Sequence, residues 1–274
     1  MGKVAAIDTS GSNFEKKGWT YDPYLRGFIN GAKGTESTWE AEENTDSILV
    51  IRGLGGGSQK AIKRCWEQGR PFYAIDTGYF GNAKHKKWHR ITYNALQNMS
   101  SIVERDDKRL TMQLGNWSEI YKPFTAGSKI LICPPSDKVM KMFGQGTAQE
   151  WTDALVNQLK DLTDRPIDIR MKPVRSERIT TKTIQQALAD DVHCLITYNS
   201  IAATEALMEG KPAITLGPNA AQLICETNLA NLESPKQPTE DEMYAFLKHL
   251  SYSQFTQPEM EDGTAWRILQ EDLK

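Results

Sequence analysis

The chain has 274 residues, of which 39% are hydrophobic and 25% charged, and its formal net charge is −2. This composition is typical of a globular protein with one large domain or two modest ones. No apolar run approaches the roughly 20 residues that a membrane-spanning helix needs, and the first residues become polar too soon for a signal peptide. We therefore expect no membrane partner and a cytoplasmic location.

Cysteine spacing and charge distribution add two further expectations. The four cysteines form no Cys-x-x-Cys pair, and two of them, Cys133 and Cys194, lie inside apolar runs, so we expect buried free thiols in a reducing compartment. Residues 60–90 contain eight basic and two acidic residues, a local net charge of +6, whereas residues 226–274 contain ten acidic and four basic, a net of −6. Either solvated helix faces that happen to differ or a functional polarity explains this asymmetry.

The first half of the chain predicts three strand–loop–helix units in series. The expected strands are residues 3–8, 47–51 and 71–75, and the expected helices are residues 23–33 and 58–68. Such units in series favour a parallel sheet. The pattern then weakens, with a helix expected at residues 92–99 and a charged, exposed segment at residues 104–109.

The strand and helix pattern resumes in the second half. Strands are expected at residues 128–133, 167–171, 194–198 and 213–216, with helices at residues 147–162, 183–189, 201–209, 239–250 and 258–273. An α/β fold of two Rossmann-like domains facing across a cleft explains this interrupted pattern best. We expect one domain at residues 1–125 and a second, ending in the C-terminal helices, at residues 126–274.

The most informative segment is residues 194–217, which predicts a buried strand, a polar turn, a short helix and a second buried strand. Open α/β sheets bind ligands where parallel strands end, and a helix N-terminus there favours anions. The turn residues Asn199 and Ser200 are therefore candidate ligands of a donor phosphate. Glu205, one turn into the helix, would point toward the same crevice and accept hydrogen bonds from a ribose diol.

Two more residues are assigned to this donor site. Arg175 follows the strand at residues 167–171, and a guanidinium can grip phosphate through two parallel hydrogen bonds. Pro135 lies in the loop that follows the strand at residues 128–133. The alternative for Arg175 is an ordinary position in a surface turn.

Three consecutive glycines follow the second strand, and we assign them to the acceptor site: Gly55, Gly56 and Gly57. The segment matches neither the dinucleotide-binding Gly-x-Gly-x-x-Gly pattern nor a P-loop, which argues against a P-loop kinase or ATPase. Glycines let a sugar ring or phosphate approach the backbone closely. The alternative is a tight crossover between strand and helix.

Two aspartates end strands and are candidates for the general base. Asp76 directly precedes Thr77-Gly78, and Asp8 ends the first strand in the same way. A carboxylate at the C-terminal end of a parallel strand projects toward a ligand crevice, where it could deprotonate an acceptor hydroxyl. The alternative for Asp76 is a turn residue that hydrogen-bonds its own loop.

The segment at residues 84–90 mixes basic and aromatic residues, which favours contact with phosphates and stacking on bases. From it we assign five residues to the acceptor site: Lys86, Lys87, Trp88, His89 and Arg90. The alternative is a solvated basic loop with its tryptophan in the core. His85 and His89 are four residues apart, but no third ligand lies nearby, so we expect no metal.

Residues 194–217 resemble the nucleotide-sugar half of GT-B glycosyltransferases, in particular the capsule-polysaccharide group. The shared residues are Asn199-Ser200, Glu205-Ala206-Leu207, Gly210-Lys211-Pro212 and Gly217. In that group a His-Pro pair after an earlier strand contacts the donor phosphate, and Lys172-Pro173 stands at the matching place here. The resemblance therefore implies that Lys172 takes part in donor binding.

Residues 76–82 and 87–94 are similar, more weakly, to glycosyltransferase-like proteins of bacterial viruses, some of which add sugars to hydroxymethylated pyrimidines in DNA. The two resemblances together imply a GT-B enzyme that uses a nucleotide-diphosphate sugar, UDP-linked, with no other cofactor. We expect an inverting, metal-independent transfer to a hydroxymethylated pyrimidine in duplex DNA. The alternatives are a polysaccharide or glycolipid acceptor, a sugar-nucleotide epimerase, and a nucleotide-binding module without catalysis.

Overall fold

The structure is a computed structural model that describes residues 3–7, 9, 22–55, 57–82, 87–172 and 182–272. The chain divides into two compact units, one made of Met1–Asn98 with Leu250–Lys274 and the other of Met99–His249. These units differ from the expected ranges 1–125 and 126–274. Residues 99–125 lie with the second sheet, and the helical segment expected at residues 258–273 lies with the first, whereas the one expected at residues 239–250 lies with the second.

The first unit is built on a sheet of six strands within the described residues, in the order β10-β5-β4-β3-β1-β2. The strands are β1 (Val4–Ile7), β2 (Thr35–Ser37), β3 (Ile48–Arg52), β4 (Phe72–Thr77), β5 (His89–Tyr93) and β10 (Gln254–Phe255). Strands β1 to β4 pair in parallel, as expected, whereas β5 runs antiparallel to both β4 and β10.

The predicted helix at residues 92–99 is wrong, because β5 occupies His89–Tyr93 and residues 94–99 follow it as a bend without helical structure. Four of the five β5 residues are buried, so the strand is covered on both faces. Its polar side chains instead find partners inside the unit. Residues 90–93 alternate polar and apolar side chains and include the β-branched Ile91 and Thr92, a strand signal that the helix prediction overlooked.

The helices of the first unit begin and end at recognisable signals. They are α1 (Pro23–Gly31), α2 (Trp39–Glu42), α3 (Ser58–Gln68), α11 (Gln257–Glu261) and α12 (Thr264–Glu271). Asp22 caps α1 by accepting hydrogen bonds from two backbone N–H groups, and α3 ends at Gly69 with φ 62°. The single helix expected at residues 258–273 is two helices, because Gly263 adopts φ 83° between them.

The C-terminal segment completes the core of the first unit. Strand β10 pairs with β5, and α11 packs on α1. One apolar cluster joins the sheet to these helices: Val4, Ala6, Leu25, Phe28, Ile29, Val50, Tyr73, Ile75, Ile91, Phe255, Met260, Ala265 and Leu269. The last 25 residues are thus part of the first core although they are distant from it in sequence.

We expect Gly31→Ala to destabilise the first unit by about 1–3 kcal/mol. The new Cβ would lie 2.1 Å from the Met260 carbonyl oxygen and 2.8 Å from the Gly263 Cα, where α1 meets the α11–α12 turn. Urea-induced unfolding measures the change. Gly55→Ala is the control, since a Cβ there meets no described atom within 4 Å. Equal midpoints for Gly31→Ala and the unmodified chain would contradict this close packing.

The second unit contains a sheet in which the four described strands are all parallel, in the order β7-β6-β8-β9. The strands are β6 (Lys129–Ile132), β7 (Ile167–Ile169), β8 (Val192–Thr197) and β9 (Ala213–Thr215). The α/β class expected from the sequence is therefore confirmed for both sheets. The arrangement of two domains across a cleft stays a prediction.

The helices of the second unit are α4 (Lys108–Leu114), α5 (Trp117–Ile120), α6 (Asp137–Met142), α7 (Ala148–Leu159), α8 (Ile184–Leu188), α9 (Ala202–Met208) and α10 (Glu240–Ser251). Thr147 and Glu150 form a capping box at the start of α7, and its apolar face joins the core against the sheet. The segment at residues 104–109 is not uniformly exposed as predicted, because Arg109 is buried at the start of α4.

Candidate functional site

In the second unit, the carboxyl ends of all four parallel strands meet at one edge of the sheet. The loop after β6, the turn after β8 and the loop after β9 are tied together there. The Thr197 hydroxyl donates to the Cys133 carbonyl oxygen over 2.6 Å, and the Asn219 amide donates to the Ser200 carbonyl oxygen over 2.9 Å. This edge is where open α/β sheets bind ligands, and it contains the predicted donor residues that the structure describes.

Asn199 and Ser200 occupy the predicted turn, but both also serve the local fold. The Asn199 amide donates to the Pro218 carbonyl oxygen. The Ser200 hydroxyl accepts from the Ala202 backbone N–H over 3.2 Å, which supports the start of α9. Asn199 is buried, whereas Ser200 is half-buried and keeps its hydroxyl proton to donate. Ser200 is therefore the better placed of the two to contact a ligand.

Glu205 lies on α9 and is half-buried at this edge. Burial raises the pKa of its carboxyl from 4.5 to about 7, and the nearby positive charge of Arg170 opposes that effect. Its hydrogen bond in the described structure is a long one, 3.5 Å from the Gln185 amide nitrogen. A poorly hydrogen-bonded, desolvated carboxylate is costly, and hydroxyl donors from a ligand would relieve that cost.

Arg170 is a functional candidate that the sequence analysis missed. It directly follows β7, where its Nη2 donates to the Lys182 carbonyl oxygen over 3.1 Å. Its Nε is buried and has no hydrogen-bond acceptor among the described residues. Its charge acts on both Glu205 and the buried Cys133 thiol, which places the guanidinium at the carboxyl edge of the sheet. A half-buried guanidinium at this edge is suited to an anionic ligand.

The sequence around Arg170 alternates in hydropathy, but this alternation predicts that the arginine is exposed. Residues 167–171 alternate apolar and polar side chains, which normally places the apolar ones inside. Here Ile169 and Met171 are among the exposed hydrophobic residues while Arg170 is half-buried, because β7 is the edge strand of its sheet. Lys172 is exposed, and Arg175 lies outside the described residues. Pro135 is buried in the loop after β6.

Gly217 is needed at this edge because of the Tyr198 ring. A Cβ at Gly217 would lie 2.4 Å from the Tyr198 Cε1. The ring lies 5.7 Å from Phe143 and 6.2 Å from Trp151, centroid to centroid, so it bridges the β8 turn and the helices beside it. The glycine in the segment at residues 194–217 thus makes room for an aromatic side chain of the preceding turn.

In the first unit, Asp76 lies at the end of β4 with both carboxylate oxygens engaged. Oδ1 accepts from the Thr77 backbone N–H over 2.8 Å, and Oδ2 accepts from Arg90 Nη2 over 2.9 Å. The side chain is 40% exposed, so the carboxylate still faces solvent. The other proposed base, Asp8, lies outside the described residues.

The glycine segment after β3 is open where it is described. A Cβ at Gly55 would meet no described atom within 4 Å, so this glycine is not required by packing. Gly57 is buried before α3, and its N–H donates to the Thr9 carbonyl oxygen over 2.8 Å. Gly56 lies outside the described residues. The crossover to α3 explains Gly57, whereas Gly55 leaves room for a ligand.

The structure corrects the prediction that the basic and aromatic segment forms an exposed binding surface. Trp88, His89 and Arg90 are buried, with 2%, 2% and 7% of their surface exposed. The reason is that β5 lies between β4 and β10 and is covered on both faces. Buried side chains cannot form the expected polyanion-binding surface. Lys87 is exposed, with its ammonium 4.9 Å from the Trp88 ring centre, and Lys86 lies outside the described residues.

His89 instead stacks with Tyr24 and Arg52 where β4 ends in the first sheet, since it lies opposite Thr77. The sequence did not indicate this stack. Its ring centre lies 3.9 Å from that of Tyr24, and the Arg52 guanidinium lies 4.4 Å from the Tyr24 ring centre. Arg52 also pairs with Asp22 at 2.8 Å. His89 is buried in this stack, whereas Asp22, Tyr24 and Arg52 are half-buried and could contact an acceptor at the end of β3.

No group of three or more His, Cys, Asp or Glu side chains in the described part of the chain could hold a metal ion. No described helix combines the length and the apolar character required to cross a bilayer.

Comparisons with known proteins rest on structure, since neither a family model nor a curated protein matches the chain. A KpsC β-Kdo 2,4 transferase of Thermosulfurimonas dismutans is similar with a TM-score of 0.50 and 14% identity, over 90% of each chain. A KpsC β-Kdo 2,7 transferase of the same organism has a TM-score of 0.49 and 10% identity, over 99% of this chain and 100% of that one. At these identities the first likeness is one of fold: this chain has an α/β fold similar to that of a sugar transferase.

Proposed function

We propose that this protein is a glycosyltransferase that moves a sugar from a nucleotide-sugar donor to a hydroxyl group of a glycan. The observation that carries the proposal is that Arg170 and Glu205 both lie at the carboxyl edge of the parallel sheet in the second unit, close enough for the charge of Arg170 to act on the Glu205 carboxyl. Among the described residues, the Arg170 Nε has no hydrogen-bond acceptor, and the desolvated Glu205 carboxylate has a single long hydrogen bond. Nucleotides present complementary groups, a phosphate and a ribose diol. The likeness in fold to a Kdo transferase supports the same class of reaction.

In this proposal the donor is held by the edge residues of the second sheet. Arg170 and the Ser200 hydroxyl donate to the phosphate, and Glu205 accepts from the ribose hydroxyls. Lys172 and Arg175 add positive charge beside the phosphate, while Asn199 and Pro135 shape the turns that surround it. The positive groups stabilise the negative charge that develops on the leaving nucleotide.

The acceptor is assigned to the first unit, next to the open glycine segment. Asp76, or Asp8, accepts the proton of the attacking hydroxyl, and direct displacement at the anomeric carbon inverts its configuration. We favour a glycan over a base in DNA because Trp88, His89 and Arg90 are buried in the sheet. The first structural neighbour is named as a Kdo transferase, which also agrees with a glycan.

The donor assignment is tested by nucleotide binding. Isothermal titration of CMP, UMP, UDP, GDP and ADP against the protein should identify one or more that bind. We expect Arg170→Met to weaken that binding about 10-fold to 100-fold, because a charge-assisted hydrogen bond contributes about 1.5–3 kcal/mol. Arg165→Met is the matched control, since Arg165 precedes β7 at the opposite end and pairs with Glu233 at 2.9 Å. Equal affinities for Arg170→Met and the unmodified protein would contradict the assignment.

The reaction itself is tested by product mass. The protein is incubated with a panel of nucleotide sugars and, in separate reactions, with an oligosaccharide mixture, a glycolipid extract and plain or hydroxymethylated DNA. We expect a sugar-mass increase on a glycan. A mass increase on DNA alone would replace the glycan acceptor with the DNA acceptor. Nucleotide binding without any transfer would leave a binding module, and a donor changed in configuration without transfer would indicate an epimerase.

A further inference from the structure

A buried arginine in the first unit holds the carboxylate that ends β4. Asp76 and Arg90 are directly opposite each other in the antiparallel pairing of β4 with β5. Arg90 Nη2 donates to Asp76 Oδ2 over 2.9 Å. The arginine side chain is 9% exposed, whereas that of the aspartate is 40% exposed. The cation is therefore inside the unit, and the carboxylate it holds is at the surface.

The guanidinium is fixed by contacts other than Asp76. Its Nε donates to the Leu96 carbonyl oxygen over 2.9 Å, and its Nη1 donates to the Thr77 carbonyl oxygen. Its central carbon lies 5.5 Å from the Tyr79 ring centre. With these groups in place, the Nη2 that reaches Asp76 has one position. A planar guanidinium loses little freedom in such a network, and a lysine could not reproduce it.

The loop after Asp76 is held as well. The side-chain oxygen of Gln254, which is fully buried, accepts from the Tyr79 backbone N–H over 2.6 Å. A Cβ on Gly78 would lie 2.6 Å from that same oxygen and 2.9 Å from the Trp88 carbonyl oxygen. The backbone on the C-terminal side of Asp76 is therefore as closely constrained as its side chain.

We infer that Arg90 is a positioning residue, which orients the Asp76 carboxylate so that its solvent-facing lone pairs can accept the proton of an acceptor hydroxyl. The inference rests on the proposed function, in which Asp76 is the base. Because Thr77 N–H holds Oδ1 and Arg90 holds Oδ2, the side chain keeps one orientation. Orientation of a reacting group is a recognised source of rate, since small misplacements are costly.

A double-mutant cycle in transferase activity tests the inference. The four proteins are the unmodified chain, Asp76→Asn, Arg90→Gln and the double variant. We expect Asp76→Asn to lower kcat by about 10²-fold or more. Arg90→Gln should lower kcat by about 10-fold to 10²-fold with little change in the acceptor KM, because it misorients the base without removing binding contacts. In the Asp76→Asn background the same change should alter kcat by no more than about twofold.

The controls separate orientation from folding. Arg26→Gln breaks an exposed ion pair with Glu36 in the same unit and should leave kcat unchanged. Thermal unfolding shows whether each variant is folded. If Arg90→Gln does not fold, the cycle is run with Arg90→Lys, which keeps the charge and should lose about tenfold in kcat, again only where Asp76 is present.

The outcomes distinguish this inference from the proposed function. Equal losses from the Arg90 change in both backgrounds would overturn the positioning role, since the arginine would then act on the structure alone. An unchanged kcat in Asp76→Asn would remove Asp76 as the base and with it this role. If the unmodified protein transfers no sugar to any acceptor, the proposed function itself fails, whatever Arg90 does.

Discussion

Glu205→Gln is expected to make the second unit more stable at pH 8 than the unmodified protein, by at most roughly 3 kcal/mol, and to change its stability little at pH 4. The reason is the pKa of Glu205, which burial raises from 4.5 to about 7. In the unfolded chain this carboxyl loses its proton near pH 4.5, whereas in the folded chain it keeps it until about pH 7. The folded state therefore binds more protons between these values, and stability falls as the pH rises through them.

Urea-induced unfolding at pH 4, 5, 6, 7 and 8 measures this effect. The unmodified protein carries the Glu205 contribution and Glu205→Gln does not, so the difference between their unfolding free energies should grow from about pH 4.5 to about pH 7 and then stay constant. A difference that does not change over this range would contradict the burial of the carboxyl. A difference that grows in the opposite direction would mean that Arg170 outweighs burial.

The protonation state of Glu205 should also affect nucleotide binding at the proposed donor site. If the ionised carboxylate accepts hydrogen bonds from the ribose, nucleotide affinity in the unmodified protein should rise as the pH passes through about 7. Nucleotide phosphates also titrate, so the comparison is with Glu205→Gln, which keeps that dependence and lacks the carboxylate. Parallel pH profiles for the two proteins would show that Glu205 does not contact the nucleotide.

His249→Asn is expected to remove an acid sensitivity of the second unit. His249 is buried in α10, where its Nδ1 accepts from the Val103 backbone N–H over 3.4 Å. Burial lowers its pKa from 6.5 to about 4, and the charge of Arg105 acts in the same direction. The unfolded state thus binds the proton more readily, so stability is lost as the pH falls from about 6.5 toward 4, again by at most roughly 3 kcal/mol.

Glu205 and His249 belong to the same unit, and their titrations change its stability with pH in opposite directions. The two variants can therefore be tested against each other. Between about pH 4.5 and 6.5 their contributions should largely cancel in the unmodified protein. Stability should then rise with pH in Glu205→Gln, fall with pH in His249→Asn, and show neither of these two slopes in the double variant. Slopes of the same sign in the two single variants would refute the opposed titrations.

The segment at residues 194–217 shows what local pattern can predict. Strand β8, its polar turn, α9 and β9 all lie where the sequence placed them, to within a residue or two. The strands are apolar runs that are buried on both faces, and Gly210 ends the helix with φ 65°. These signals depend on a few neighbouring residues, so they can be recognised in the sequence without knowledge of the fold. The positions of Asn199, Ser200 and Glu205 in the turn and in α9 were predicted for the same reason, and their role in donor binding stays a proposal.

The errors arise where a residue's partner is distant in sequence. Arg90 is buried because it reaches Asp76 and the Thr77 carbonyl group on the neighbouring strand β4 and the Leu96 carbonyl group after β5, and no local rule shows that a basic segment has such partners. Arg170 was overlooked because an edge strand exposes its apolar side chains. The helical segment at residues 258–273 was assigned to the second half because the short strand β10, which pairs with β5, has too few residues to form a pattern.

The sequence by itself determined the α/β class, most strands and helices, and the turn that could face a nucleotide, since each depends on side-chain periodicity, caps and glycines close along the chain. Only the tertiary structure decided which cations are available to a ligand and which are buried. It also decided that the C-terminal segment packs into the core of the first unit. The physical reason is that burial and ion pairing depend on what the fold brings opposite a residue, and strand pairing across the chain sets that.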